Sequence, residues 1–405
     1  MPQQGTPAVV TSILLTDAGQ RATLAAARSL VHAGYDVHVT AANRFSLAGA
    51  SRGVRFHRVA VEPLAEPERY ATAVGEIATR VGAAVVLPVT DPSVEALLEH
   101  RACLPADARI PLPTLPTYRL ASDKVALLGL AERAGFAVPA SVIVQRKGDP
   151  GPRIPASWFP AVVKPHRSVV QDGQRRDKVG VSFVADRMSC ERVLAALPAA
   201  AFPVLLQRRV AGSGEGLFVL RWHGRVVAVF AHRRLREKPP AGGVSVYRES
   251  IAPPPDLVKA GLQLLDSLDW NGVVMIECRR DAVTGRHVVM EVNGRLWGSL
   301  QLAIDAGVDF PTLLVRCALG DAAPAPAGYQ VGVRTRWFWG DVDHLYLRLR
   351  RSAAELQLEP SAPSRWEAVR RFLSFRPGRD RCEVWRWRDP LPFLVETLQW
   401  AGLWR

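Results

Sequence analysis

Residues 9–91 alternate between short apolar runs rich in branched side chains and Ala-rich stretches with helical spacing. VVTSILL (9–15), DVHVTAA (36–42), FHRVAVE (56–62) and AVVLPVTD (84–91) have the composition of buried strands. QRATLAAARSLVHAG (20–34), stopping at Gly34, and PERYATAVGEIATRVG (67–82), opening on proline, have that of helices. A strand followed by a helical crossover returns parallel to itself, so this stretch predicts a doubly wound parallel sheet. Ligands in such sheets bind beyond the carboxyl ends of the strands. The first such turn is Thr16-Asp17-Ala18-Gly19-Gln20, with no GxGxxG, which excludes a dinucleotide site there and with it a nicotinamide oxidoreductase.

The rhythm changes after the Pro-rich PLPTLPTYRL (111–120), a candidate boundary. ASDKVALLGLAERAG (121–135) is a helix with Ser122 or Asp123 as cap and Gly135 as stop. Beyond it antiparallel hairpins are expected. FPAVVKP (159–165) is a strand ending near Lys164, followed by a hairpin whose basic loop carries Arg167, Gly173, Arg175, Arg176, Lys178 and Gly180. PVLLQRRV (203–210) leads through a Gly-rich turn, AGSGEG, into a hairpin over 217–235 that turns at His223-Gly224. A helix over 255–272 precedes a second hairpin, 273–293, turning at Thr284-Gly285, and DAAPAPAG (321–328) is a linker.

The chemistry concentrates in that second hairpin. Glu277 lies in the apolar strand VVMIECR and Glu291 in its partner VVMEVNGR. Strand side chains repeat every second residue, so Glu291, Asn293 and Arg295 share a face while strand geometry holds. Two carboxylates on neighbouring apolar strands are costly unless their charge is compensated. A hard divalent cation sharing phosphate oxygens does this, and two carboxylates with an amide suit Mg²⁺. Pairing with Arg279, Arg286 or Arg295 would do it too. Lys124 and Lys164, two of only six lysines, stand at a helix start and a strand end where phosphates could be met; a solvated surface charge is the alternative for each. The GSGEG glycines would let backbone approach a base, with Glu215 accepting from ribose hydroxyls.

The ordered set SDK (122–124), VVKP (162–165), LLQRRVAGSGEG (205–216), VVMIEC (273–278) and MEVNGRLWGSL (290–300) resembles the ATP-grasp superfamily, nearest the carbamoyl-phosphate synthetase large subunit and the small carboxylate–amine ligases. The acidic pair fourteen residues apart followed by N-x-R is its most specific part. The resemblance covers roughly residues 8–320. It implies an α/β (α+β) chain with a Rossmann-like preceding domain over 1–115, an ATP-grasp body over 116–320 with a small lid over about 158–213, and an Arg/Trp-rich extension over 321–405. By position it implies ATP-phosphate contacts from Lys124 and Lys164. The hinge would run through Gln207, Arg208 and Val210, with Glu215 on ribose. Glu277, Glu291 and Asn293 would hold Mg²⁺ (or Mn²⁺), and Arg295 would meet the transferring phosphoryl group. The activity implied is ligation of a carboxylate to an amine through an acylphosphate, with release of ADP and phosphate. The alternative is a non-catalytic nucleotide-binding relative acting as a regulator or interaction protein.

Two departures from the family pattern bear on this. The lid loop VVQDGQRRDKVG carries three basic side chains where Gly and Ser are usual, and Arg208 stands where the hinge often has an acid. Arg233 and Arg234 alternate faces, so one points inward; Arg234 is the candidate carboxylate clamp, with Trp297 and Ser299 lining the same pocket or, for Trp297, packing in the core. The extension holds seven of eleven tryptophans and a net charge of +5 over 330–405. RWFWGD and VWRWR read as strands with one aromatic face and PLPFLVETLQWAGLWR as a short amphipathic helix. Packing, partner docking or contact with an anionic membrane surface suit it; nucleic acid is disfavoured as a partner. The net charge of +14 is an arginine excess, and a basic field attracts phosphate or carboxylate ligands, so the partners expected are a small-molecule or polyanionic carboxylate substrate and an amine acceptor. Five cysteines without CxxC spacing, no apolar run near the roughly 18 residues of a membrane span and no signal-peptide pattern predict a cytoplasmic protein.

Overall fold

The computed structural model describes residues 10–149, 154–172, 175–324, 326–359, 362–374, 376 and 378–403. Gly173 of the expected lid and Trp404 lie outside this set. The chain forms two compact units: residues 1–111 with 311–323 and 387–405, and residues 112–310 with 324–386. The Arg/Trp-rich extension is therefore shared between them.

In the first unit, β1 (Ser12–Leu15), β2 (Asp36–Ala41), β3 (Val54–Arg58) and β4 (Ala83–Leu87) form one parallel sheet in the order β3-β2-β1-β4. Helices Arg21–His32 and Pro67–Val81 are the crossovers the alternation predicts. Ile13, Leu14 and Leu15 are fully buried, which is why the strand reads as an unbroken apolar run. Strand order reverses at β1. There Asp17, at φ 60°, accepts from the backbone N–H of Val89 (3.2 Å) and Thr90 (3.1 Å) and from the hydroxyls of Thr90 (3.0 Å) and Ser93 (2.8 Å). Its own neighbours satisfy the turn that lacks a phosphate fingerprint. The C-terminal helix Leu391–Trp400 is anchored through Asp389, which accepts from Arg28 (2.8 Å), Ser51 (2.6 Å) and the N–H of Arg52 (3.0 Å).

The second unit opens on two helices. Thr114 caps Leu115–Ser122, so the Pro-rich break also carries a helical turn, with proline in its first turn where the missing N–H costs nothing. Asp123 then caps Lys124–Arg133, accepting from Val125 (2.9 Å) and Ala126 (3.0 Å). A small antiparallel sheet follows, built from β5 (Ser141–Val144), β6 (Ala161–Pro165), β9 (Ser182–Val184) and β10 (Val204–Arg208) in the order β5-β10-β6-β9. The basic hairpin β7 (Val169–Asp172) and β8 (Arg175–Lys178) branches from it. Residues 159–208 thus share no sheet with residues 12–87.

The large sheet comprises β11 (Gly212–Trp222), β12 (Arg225–Lys238), β13 (Val244–Ile251), β14 (Gly272–Asp281), β15 (His287–Asn293), β16 (Arg334–Arg336) and β17 (Asp380–Cys382) in the order β15-β14-β11-β12-β13-β16-β17. One face is covered by Lys124–Arg133 and by the helix Pro255–Ser267. Leu127, Ala131, Leu257 and Leu264 pack there on Leu217, Val219, Val274, Ile276 and Cys278, every second residue of β11 and β14. Truncating one of these, Leu264→Ala for example, would cost about 2–5 kcal/mol.

The glycines of GSGEG do not make a turn: they begin β11. A side chain on Gly212 would lie 2.0 Å from the Arg280 carbonyl, one on Gly214 2.7 Å from Arg234 and one on Gly216 2.8 Å from the Phe218 ring, so the glycines admit neighbours to a crowded strand. Nor is RWFWGD a strand. Only 334–336 pair, and a helix runs Phe338–Arg350 with Asp341 in its first turn. Trp337 covers Gly340, whose added side chain would meet the indole at 2.2 Å, a helical i, i+3 contact. VWRWR forms no strand either; Val384 is buried while Trp387 is 87% exposed, so the aromatic face it predicts does not form.

Candidate active site

On β14, Met275, Glu277 and Arg279 alternate with the helix-packed Val274, Ile276 and Cys278, and so occupy the sheet's other face. Glu291 lies directly opposite Glu277 in the register, and Asn293 opposite Met275. This alignment depends on a bulge. Cys278 pairs with Val289, so Met290 is an extra residue in β15. Without it Glu291 would follow Val289 onto the helix-packed face; with it, Glu291 and Asn293 join Glu277. The Asn293 amide donates to Glu291 Oε1 at 2.9 Å.

Cations surround the pair. Arg234 Nη2 lies 2.5 Å from Glu277 Oε2, and its Nη1 donates to Glu237 (3.0 Å) and to the Gly243 carbonyl (3.1 Å). Lys164 Nζ is 4.0 Å from Met290 Sδ. Lys124 is buried; its N–H donates to the His166 carbonyl (2.8 Å) and its Nζ to Ser168 (3.4 Å). Burial, aided by Lys124, pushes the Lys164 amine down to about 8 against the pull of Glu291 and Glu277. Burial raises Glu277, reinforced by Glu291 and opposed by Arg234. Glu291 is held below the usual carboxylate range: Lys124, the Asn293 hydrogen bond and Lys164 outweigh its burial. The two carboxylates are thus pushed apart in acidity by one shared environment.

Glu215 does not share this face. It pairs with Cys278 in register, is 2% exposed and receives His287 Nε2 at 3.0 Å, while His287 Nδ1 meets Asp256 at 2.9 Å. The expected contact with ribose is corrected by strand parity: once the glycines belong to β11, Glu215 and Glu277 face opposite ways. Gln207 is buried and donates to Ser141 (3.0 Å), while Arg208 is exposed and Val210 half-buried. Arg295 lies two residues beyond the end of β15, half-buried, its Nη1 donating to the Leu296 carbonyl at 3.2 Å. Trp297 is 1% exposed and packs on Phe218 (4.4 Å between ring centroids) and Phe310 (5.1 Å), a core position. Ser299 is buried at the start of the helix Leu300–Ala306. Arg234 is the inward arginine, at 8% side-chain exposure against 44% for Arg233, but its donors are directed at protein acceptors, so it is not an open clamp.

One residue on this face escaped the sequence reading. His232 pairs with Gly216, which pairs with Glu277. It is 1% exposed, neither ring nitrogen has a hydrogen-bond partner among the described residues, and burial, with Arg234 and Arg248 nearby, pushes its pKa well below the usual value. A turn at His223-Gly224 predicts Gly216 opposite Ala231; a one-residue shift between Leu220 and Arg221 moves His232 there instead. Nothing in the local sequence marks that shift.

Among the described residues no group of three or more His, Cys, Asp or Glu side chains gathers as a metal cage. The donor set is two carboxylates and an amide, with cationic neighbours poised for anions. That fits a hard cation shared with phosphate oxygens better than an all-protein metal centre.

The sequence profile described as "ATP-grasp in the biosynthetic pathway with Ter operon" matches residues 203–339. The chain has the ATP-grasp fold. The L-amino acid ligase from Bacillus licheniformis superposes with a TM-score of 0.59 at 17% identity, over 80% of this chain and 78% of that one. N5-carboxyaminoimidazole ribonucleotide synthetase from Thermus thermophilus gives 0.56 at 19%, over 78% and 81%. The biotin carboxylase domain of Hydrogenobacter thermophilus 2-oxoglutarate carboxylase, solved with MgADP and bicarbonate, gives 0.60 at 15%, over 80% and 73%. Curated protein sequences give no match. The resemblance read from the motifs is borne out at the level of the ATP-grasp fold. No helix among the described residues is long and apolar enough to cross a membrane.

Proposed function

We propose that the protein is an ATP- and Mg²⁺-dependent ligase that joins a carboxylate to an amine. The observation that carries this reading is the cross-strand pair Glu277–Glu291, with Asn293 bonded to Glu291, set among Lys124, Lys164 and Arg234 in an ATP-grasp fold. Glu277, Glu291 and Asn293 would hold the metal, which when bound shields the charge of the nucleotide phosphates. Lys124 and Lys164 would bind the phosphate oxygens. Phosphate binding would hold on Lys164 the proton that burial loosens. Arg295 would approach the γ-phosphoryl group as charge develops.

The substrate carboxylate attacks the γ-phosphorus and the β–γ bridging bond breaks, giving acylphosphate and ADP. The amine then attacks the acyl carbon; the C–O bond to phosphate breaks, and the amine loses a proton as the amide forms. Such a reaction asks a protein for positioning and charge neutralisation rather than covalent participation. The test is an ADP-release screen over amino acids, uronic acids and small diacids, with and without amine acceptors. With the correct acid and Mg-ATP, hydroxylamine should divert the intermediate to a hydroxamate. AMP and pyrophosphate as products would replace the acylphosphate route with adenylation.

A further inference from the structure

A cavity of about 780 Å³ lies in the second unit, walled by β11, β12 and β14 and by the extension beyond residue 339, which the family profile does not reach. Arginine dominates its lining, and the arginines fall into two groups. Arg236 forks onto Asp341 (2.6 Å twice), Arg334 binds Glu249 (2.8 Å) and Arg371 binds Glu367. These are neutralised and hold the walls together. Arg209 and Arg348 are different. Arg209 donates to the carbonyls of Gln357 (2.5 Å) and Ala241 (2.9 Å), and Arg348, 7% exposed, to that of Pro363. Among the described residues neither meets a carboxylate. Burial depresses both guanidiniums; Arg279 adds to this at Arg209, where Glu359 and Glu237 oppose it, and Arg365 adds to it at Arg348. Arg376, exposed, also lines the cavity and has no side-chain partner among the described residues.

Carbonyl dipoles satisfy donors without neutralising the charge, which two carboxylates offset in part at Arg209 and none does at Arg348, and a buried charge without a counter-ion is costly. Guanidinium forks match carboxylate and phosphate geometry. The volume suits a metabolite-sized ligand. Arg234 and Arg279 join this cavity to the candidate active site: Arg234 lines it while bonded to Glu277, and Arg279 follows Glu277 on the same face.

We propose that this cavity binds the acid substrate of the ligation and that the acid is a polyanion, carrying at least one phosphate or carboxylate group besides the one that reacts. Arg209, Arg348 and Arg376 recognise the extra charge, and the described residues of the extension that line the cavity, from His344 to Arg376, serve as the substrate-specifying part of the protein. The assignment of the ligand as substrate rests on the ligase reading; the anion site itself does not.

The test is calorimetric binding to the full chain at fixed low ionic strength, with Mg-ADP titrated first and tricarballylate (a polycarboxylate) or fructose 1,6-bisphosphate (a polyphosphate) second. At least one probe should bind the nucleotide-loaded protein, and the one preferred identifies the anion class. Arg376→Gln, at an exposed position that cannot unfold the core, and Arg348→Gln should each weaken it on the order of tenfold. Arg348→Lys should recover part of the loss, and Arg69→Gln, at a 73% exposed arginine of the other unit, should leave probe binding unchanged. Mg-ADP affinity should stay within about twofold throughout. Binding of neither probe, equal binding by all variants, an equal loss in Arg69→Gln, or displacement of Mg-ADP by the probe would overturn the proposal. Probe binding that is lost in the variants while Mg-ADP fails to bind would uphold the anion site and reject the ligase reading.

Discussion

Asp17, just past the carboxyl end of β1, and the pair Glu277–Glu291, on one face of the large sheet, are both carboxylate positions where an α/β protein could hold a ligand, and they are solved in opposite ways. Asp17 accepts from two backbone N–H groups and from the hydroxyls of Thr16, Thr90 and Ser93, all neutral. Its cap of donors is complete, so it fastens β1 to the turn after β4 and leaves nothing for a ligand. Glu277 and Glu291 face one another among three cations that are themselves half-spent. A carboxylate with enough neutral donors is structural. Like charges packed together, with buried cations and a buried histidine that has no partner among the described residues alongside, form a site that an anion and a cation complete together.

The most direct way to break this contrast is at Glu291. Glu291→Gln should leave the fold intact, with a thermal midpoint within a few degrees, and lower Mg-ATP turnover on the order of 10²-fold or more. Retained turnover would make Glu291 as structural as Asp17. Next in size is Gly212→Ala. At φ 127°, with the Arg280 carbonyl 2.0 Å from the added carbon, it should destabilise the second unit by roughly 3 kcal/mol or more in urea unfolding. A near-neutral result would mean that β11 does not begin there. Asp17→Ala should cost about 2 kcal/mol, because buried donors lose their acceptor. Asp17→Asn, which tolerates positive φ, should cost less. A loss of turnover larger than the loss of stability would give Asp17 a functional share.

The smallest effect is a pH dependence at His287. Its hydrogen bond to Glu215, with that to Asp256, raises its pKa above 6.5 despite burial. A group whose folded pKa is raised stabilises fully below its unfolded value, and that stability is lost as pH climbs through the folded one. Unfolding midpoints should therefore decline from about pH 6.5 upward, and His287→Gln should flatten that decline. An unchanged slope would remove His287 from the account.

Much of this was legible in residue order. Alternating apolar and Ala-rich runs anticipate β1–β4 and their crossovers, and Asp123 announces the start of Lys124–Arg133. The spacing of Glu277, Glu291 and Asn293 points to oxygen-donor chemistry. The failures share a cause. GSGEG reads as a turn because glycine lacks strand propensity, yet the glycines are required by Arg280, Arg234 and Phe218 lying over them. RWFWGD alternates like a strand, yet Asp341, fully buried, helps pin a helix through Arg236 and Arg336. In each case contacts distant in sequence overrode a local preference.

By itself, then, the sequence determined the donor chemistry, the parallel and antiparallel halves and the parity that puts Glu291 and Asn293 on one face, because each follows from properties of neighbouring residues. The tertiary structure decided which faces meet. The extra residue Met290 turns Glu291 toward Glu277, and the shift beyond Leu220 brings His232 beside it. Register has a period of two, so one inserted residue reverses every side chain beyond it, and no residue states in advance where its partner strand will slip.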